Sequence, residues 1–201
     1  MTASPAHPDR PLAVVTGASS GIGAATARAL AADGWHAVLG ARRVERCAEI
    51  AEEIGGTALP LDVTDAESVT DFAASVQAIG APVRGLVNNA GGAWGTEPVL
   101  EAADEKWRWM WEANVLGTLR VLRALLPSLI DSGDGHVVTI TSIAALETYD
   151  GGSGYTAAKH AEGALHRTLR GELLGQPVRI TEIAPGLVET DFSLVDRKSV
   201  V

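Results

Sequence analysis

The chain has one cysteine, Cys47, among 201 residues. An intrachain disulfide is therefore excluded, and a reducing compartment, the cytoplasm, is the expected setting. Basic residues are in the minority: 16 Lys and Arg stand against 25 Asp and Glu, a formal charge of -9. That balance argues against nucleic acid or an anionic membrane as the main partner, while leaving room for a local basic site that holds an anion. No apolar run reaches the length of a membrane span. The stretch Met1 to Pro11 has three prolines and no apolar core, so it reads as a flexible tail and not as a signal peptide. His7, His36, His136, His160 and His166 show no metal-ligand spacing, and no metal is expected. Internal repeats, low-complexity segments and an interdomain linker are also missing. What remains is a single domain over residues 12–201.

That domain has a globular composition, with 46% apolar and 20% charged residues. Its 22 glycines fall mostly at the ends of apolar runs. Short apolar runs predict strands at Leu12–Thr16, His36–Ala41, Thr57–Leu61, Gly85–Val87, His136–Thr141 and Val178–Ile183. Helical patterns lie between them: from the glycines after Thr16 to about Asp33, then Arg43–Ile54, Asp65–Ile79, Asp104 to about Ile130, and Ser153–Leu174. Gly34 is placed to end the first helix. Thr64 or Asp65 is placed to cap the third. Pro127 is expected to kink or break the fourth. Alternation of helices with nearly continuous apolar strands predicts a doubly wound α/β fold, a parallel sheet covered on both faces. Sites in such a fold lie at the carboxyl ends of the strands.

The first strand runs straight into Gly17-Ala18-Ser19-Ser20-Gly21-Ile22-Gly23. Glycines there allow a tight turn and close backbone approach to phosphate. The helix start offers N–H groups and a positive dipole end. The spacing is not that of the G-x-G-x-x-G form, but its place in the first βα unit favours a dinucleotide. At the end of the second strand a carboxylate would accept from a ribose 2′-hydroxyl. The sequence has Arg42 and Arg43 instead, which suit a 2′-phosphate. NADP(H) is therefore the expected cofactor.

Tyr155 and Lys159 are four residues apart on the fifth helix and share a face. A tyrosine in water has a pKa of about 10, and a neighbouring ammonium favours the phenolate. Such a pair suits general acid/base chemistry. Ser142, just past the fifth strand, is placed to hold a substrate oxygen beside them. Trp107 and Trp111 share one face of the fourth helix while Trp109 points elsewhere, so packing or an interface is the expected role. Trp94, in the loop Gly92–Ala103, is a candidate substrate contact. Cys47 is expected to be inert.

Taken in order, these motifs resemble the short-chain dehydrogenase/reductase family, from about Leu12 to Phe192. Thr16–Gly23 is similar to its cofactor loop. Asp62-Val63 is similar to the pair that contacts adenine, and Asn88-Asn89-Ala90-Gly91 to the motif that supports the sheet and lies against the cofactor. Asn114, Ser142, Tyr155 and Lys159 match the catalytic tetrad. Pro185-Gly186-Leu187-Val188-Glu189-Thr190 matches the loop over the nicotinamide. The resemblance implies that Gly17, Ser19, Ser20, Gly21, Ile22, Gly23, Arg42, Arg43, Asp62, Val63, Asn89, Tyr155, Lys159, Pro185, Val188 and Thr190 hold the cofactor. It implies that Tyr155 exchanges the proton, Ser142 orients the substrate oxygen, Lys159 binds ribose hydroxyls, and Asn114 holds a relay water. The implied activity is interconversion of a small-molecule carbonyl and a secondary alcohol, with small 3-hydroxy acids as candidate substrates and a homo-oligomer, dimer or tetramer, as the assembly. The competing readings are a non-catalytic NADP-binding protein, against which the intact Ser-Tyr-Lys-Asn set argues, and an inactive truncated fragment of such a reductase. Family members carry further helices and a seventh strand beyond the Thr190 loop; this sequence ends with Ser193–Val201, so it reads as shortened.

Overall fold

A computed structural model describes residues 10–188. Six strands form one parallel sheet: β1 (Leu12–Thr16), β2 (His36–Ala41), β3 (Thr57–Pro60), β4 (Val83–Asn88), β5 (Gly135–Ile140) and β6 (Val178–Ile183). Their order across the sheet is β3-β2-β1-β4-β5-β6. This is the doubly wound α/β, or Rossmann, arrangement, and its strand order reverses between β1 and β4. The helices are α1 (Gly21–Ala32), α2 (Val44–Ile54), α3 (Ala66–Ala78), α4 (Asp104–Trp111), α5 (Gly117–Asp131) and α6 (Ser153–Glu172).

Alternate strand residues feed opposite faces of the sheet. Val14, Val38, Leu86 and Val137 pack on one side with Phe72, Leu125 and Leu129 from the helices. Val15, Leu39, Val87 and Ile140 pack on the other with Ala24, Ala27, Cys47 and Ile50. Every residue of β1 and β2 is buried, as a central parallel strand requires. By contrast β6 alternates half-buried and exposed positions, and among the described residues it is one of the two edge strands, β3 being the other.

Local signals account for most helix ends. Gly34 has φ +90, in the left-handed region that favours glycine after a helix. Asp65, not Thr64, caps α3, its carboxylate accepting from the Glu67 amide at 2.9 Å. Arg10 reaches back to the carbonyls of Ala31, Gly34 and Trp35 and ties off the end of α1.

The span from Asp104 to Asp131 is helical, as expected, but departs from expectation in detail. The helix is not uniform: residues Glu112–Leu116 widen into a π-turn between α4 and α5. Nor does Pro127 break it; α5 runs on to Asp131, held by fully buried Leu125 and Leu129 on either side of the proline. The whole span, Asp104–Asp131, is also long and apolar enough to cross a membrane by length and composition, which the sequence reading did not anticipate. Half of its most apolar window is buried inside the fold, where the apolar residues serve the core.

Candidate active site

The carboxyl ends of β1, β4 and β5 build the site. At the end of β1, Gly17 and Gly21 have φ +65 and +55, the left-handed backbone of a tight turn. Gly17 and Gly23 are also required by close neighbours. A Cβ on Gly17 would lie 2.9 Å from the Ala90 Cα, and one on Gly23 would lie 2.6 Å from the Asn89 amide nitrogen. These two glycines let the loop pack on the end of β4. Thr16 is the hub of that packing: its hydroxyl accepts from the amides of Asn89 and Ala90, both at 3.0 Å.

The Asn89 side chain is turned inward. It donates to the carbonyls of Thr16 at 3.0 Å and Gly17 at 3.3 Å. It therefore supports the loop, and this bonding is not contact with a cofactor.

The start of α1 is open to an anion. Ser20, its N-cap residue, makes no side-chain capping bond, and the first turn has no acidic residue. The Ser20 hydroxyl instead accepts from Arg43 Nη2 at 2.9 Å, and Ser19 Oγ accepts from the same nitrogen at 3.1 Å. Arg43 thus leans over the glycine loop, and both Arg42 and Arg43 are exposed. A cleft of about 840 Å³ runs from Ser19, Ser20, Gly21 and Ile22 past Arg46 to Val188. Asp62 is half-buried and spends one carboxylate oxygen on the amide and hydroxyl of Thr64, at 3.0 and 2.7 Å. Val63 is buried and packs where Gly117 leaves room for it.

Asn114 sits in the π-turn and is fully buried. Its amide donates to Met110 O at 2.7 Å and to Gly92 O at 2.9 Å, and its Oδ1 accepts from Gly92 N at 3.1 Å. In the widened turn a backbone bond reaches five residues back, from Gly117 N to Glu112 O. The Asn114 side chain takes the Met110 carbonyl four residues back. Single π-turns of this kind concentrate at functional sites. Both amide hydrogens are spent on the protein, so the side chain can offer a water only an oxygen lone pair.

Ser142 follows β5 and caps a short turn at Ile143–Ala145. Its Oγ accepts from the Ala144 amide at 3.1 Å, which leaves the hydroxyl hydrogen to donate. Pro185, after β6, accepts from the Ile143 amide at 2.9 Å and so holds its loop beside Ser142. Tyr155 and Lys159 share a face of α6 as their spacing requires, with the Lys159 ammonium 5.9 Å from the Tyr155 ring centre. A Cβ on Gly91 would lie 3.7 Å from that ammonium, and the same spot borders Asn114. Asn114, Tyr155 and Lys159 therefore converge beside the end of β4, with Ser142 at the end of the adjacent strand. Thr190 lies outside the described residues.

Known proteins share the sequence and the fold that carry this arrangement. The family model described as short chain dehydrogenase matches residues 11–199. The chain belongs to the short-chain dehydrogenase family. It is an oxidoreductase of that family, as its relatives are. An uncharacterized oxidoreductase of Mycobacterium tuberculosis is 67% identical over 184 residues, 92% of this chain and 72% of that protein. A sulfoacetaldehyde reductase of Chromohalobacter salexigens is 40% identical over 186 residues, 90% of this chain and 74% of that one. An NADP-dependent 3-hydroxy acid dehydrogenase of Salmonella typhi is 37% identical over 187 residues, 92% and 75% of the two chains. Among solved structures, a closed serine dehydrogenase with NADP+ has TM-score 0.89 and 35% identity, covering 94% of this chain and 77% of that one. An alcohol dehydrogenase of Thermococcus sibiricus, complexed with 5-hydroxy-NADP, has TM-score 0.86 and 40% identity, covering 92% and 79%. A family member from Burkholderia phymatum, 28% identical with TM-score 0.87 over 98% of this chain and 71% of that one, holds NAD.

The remaining tryptophan, histidine and cysteine candidates have neighbours within the protein. Trp94 packs edge-on against Trp109 at 6.0 Å, in the cluster that includes Tyr155. Trp107 and Trp111 are partly exposed on the other face of the helix. His36, His136 and His166 bond threonine hydroxyls on or beside the strands, and His160 bonds the Thr156 carbonyl. Burial pushes the Cys47 thiol up to about 11, which keeps it protonated and unreactive at neutral pH.

Proposed function

We propose that the chain is an NADP(H)-dependent oxidoreductase that interconverts the carbonyl and alcohol forms of a small acid, with 3-hydroxy acids as the substrate class. The observation that carries this reading is the convergence of Tyr155, Lys159 and Asn114 beside the strand-order reversal, next to an uncapped helix start. In this reading the N–H groups of Ser19 to Gly23 hold the pyrophosphate and Arg43, with Arg42, holds the 2′-phosphate. Asp62 and Val63 lie at the adenine. Pro185, Val188 and Thr190 flank the nicotinamide, and Asn89 fixes the loop from behind. The nicotinamide supplies the hydride when bound. Ser142 donates a hydrogen bond to the carbonyl oxygen and sets its direction. Tyr155 gives its hydroxyl proton to that oxygen as the alcohol forms, and takes it back in the reverse direction. Lys159 binds the ribose hydroxyls and places a positive charge beside the tyrosine.

The substrate class draws on relatives whose names share one chemistry. Sulfoacetaldehyde, serine and 3-hydroxy acids are all short molecules with an anionic group near the reacting carbon. The test is turnover of 3-hydroxypropionate, L-serine and 2-propanol with NADP+, followed by absorbance of the reduced cofactor. Oxidation of the two acids in preference to 2-propanol supports the reading. Equal rates on all three, or none on any, defeats it.

Cofactor choice has its own test. Replacing Arg42 and Arg43 together by Ala should weaken NADPH binding at least tenfold and leave NADH binding nearly unchanged. Hydrogen bonds to charged groups contribute about 1.5–3 kcal/mol each, and about 1.4 kcal/mol is a factor of ten. Arg43→Ala alone should carry most of the loss, because only Arg43 is already held over the loop by Ser19 and Ser20. Equal loss for both cofactors in fluorescence titrations would remove the arginines from this role.

A further inference from the structure

Glu162 is a charged residue in a place where charges are rarely found. Its side chain is 1% exposed, and that of Lys159 is 5% exposed. Lys159 Nζ donates to Glu162 Oε2 at 2.7 Å and to the Ile140 carbonyl at 3.2 Å. The other carboxylate oxygen accepts from the Thr118 hydroxyl on α5 at 2.9 Å. Glu182, from β6, is the second acid that acts on this carboxylate, and it stands 3.7 Å from Arg167 on α6. Burial pushes the Glu162 carboxyl up, and Lys159 is the cation that opposes that push. None of the acid/base steps described above uses Glu162.

An ammonium has three N–H donors on a flexible four-carbon stem. Two of the donors of Lys159 are fixed by Glu162 and Ile140, so the third has one direction left. The Tyr155 ring lies 5.9 Å from that nitrogen, and Gly91 and Asn114 line the same spot. We infer that Glu162 is a positioning residue that holds the Lys159 ammonium with its one remaining donor turned toward the cofactor ribose and Tyr155. The inference rests on the proposed roles of Tyr155 and Lys159. Glu162 touches neither substrate nor cofactor and acts through Lys159 alone.

A double-mutant cycle tests this on the full chain, with NADPH fluorescence titration and L-serine turnover as the two readouts. Glu162→Gln keeps the shape and removes the charge. It should weaken NADPH binding about three- to tenfold and lower kcat about tenfold, with KM for L-serine within twofold. Lys159→Met plus Glu162→Gln should be no worse than Lys159→Met in either readout, because the lysine through which Glu162 acts is already gone. Two results overturn the inference: Glu162→Gln with wild-type kcat and NADPH affinity, whatever its melting temperature, or losses that add to those of Lys159→Met. Should Glu162→Gln fail to fold, Thr118→Val withdraws the neutral donor from the same carboxylate. It should then give the same pattern at about half the size on a logarithmic scale; wild-type values in that variant overturn the inference too. Tyr155→Phe runs alongside. If it keeps turnover, the proposed chemistry itself is wrong; if it is inactive while Glu162→Gln is unaffected, only the positioning role falls.

Discussion

Tyr155→Phe should abolish turnover and leave the fold and NADPH binding intact. The substitution removes one oxygen and keeps the ring, which packs with Met110, Val115 and Ala158. Tyr155 is half-buried, so no large cavity opens and the melting temperature should move little. The lost group is the only proton source that the proposed chemistry places at the substrate oxygen. Hydride arriving at a carbonyl leaves an alkoxide, which is too basic to be released into a site without a donor. Positioned general acids and bases contribute about 10²–10⁴-fold, and the loss should sit at the upper end. Steady-state kcat with NADP+ and L-serine measures it, beside the NADPH dissociation constant. A variant with wild-type kcat would defeat the mechanism, and one that neither folds nor binds NADPH would return Tyr155 to a structural role.

Much of this site was legible because its spacing follows from local geometry. Tyr155 and Lys159 must share a face if the segment is helical, and glycines between an apolar strand and a helix mark a tight turn whose helix start suits an anion. Strand bounds such as Leu12–Thr16 could be read from an apolar run, and those of Val178–Ile183 from β-branched residues set among polar ones. What the sequence concealed depends on partners far along the chain. The π-turn at Asn114 forms because its amide has Gly92 to bond, and that neighbour is 22 residues away. Asn88 and Asn89 are adjacent and chemically alike, yet only Asn89 finds Thr16 and Gly17 to bond. The Asn88 side chain is buried without a hydrogen-bond partner among the described residues. Nothing in the sequence around Glu162 marks it as buried. Only the packing of α5 and β6 against α6 reveals that it is enclosed with Lys159.

That enclosure makes Lys159→Met the variant with the largest expected cost in stability. Methionine keeps the apolar stem and removes the ammonium, so the change is mainly one of charge. Glu162 is then left with a carboxylate in the interior and only the Thr118 hydroxyl to bond it. Removing one partner of a buried ion pair costs about 3–5 kcal/mol. For a chain of this size each kcal/mol is about 2–4 °C, so the melting temperature should fall by roughly 10 °C at pH 8. The loss should shrink as the solution is made more acidic. Burial raises the Glu162 carboxyl above its ordinary value in the folded chain, and without Lys159 only the Thr118 hydrogen bond opposes that push. The folded variant then takes up a proton at a pH where the unfolded chain has none to release. Its stability is greatest below the ordinary carboxylate range and falls as pH rises through the raised folded-state value. Melts at pH 5 and pH 8 should show the gap from wild type widening with pH. Adding Glu162→Gln should close most of the gap at pH 8, since the second change removes the stranded charge. Turnover would not return with stability, because Lys159 is still missing from the site. A gap that is the same at both pH values, or that the second substitution does not narrow, would show that the pair is not the buried charge couple seen here.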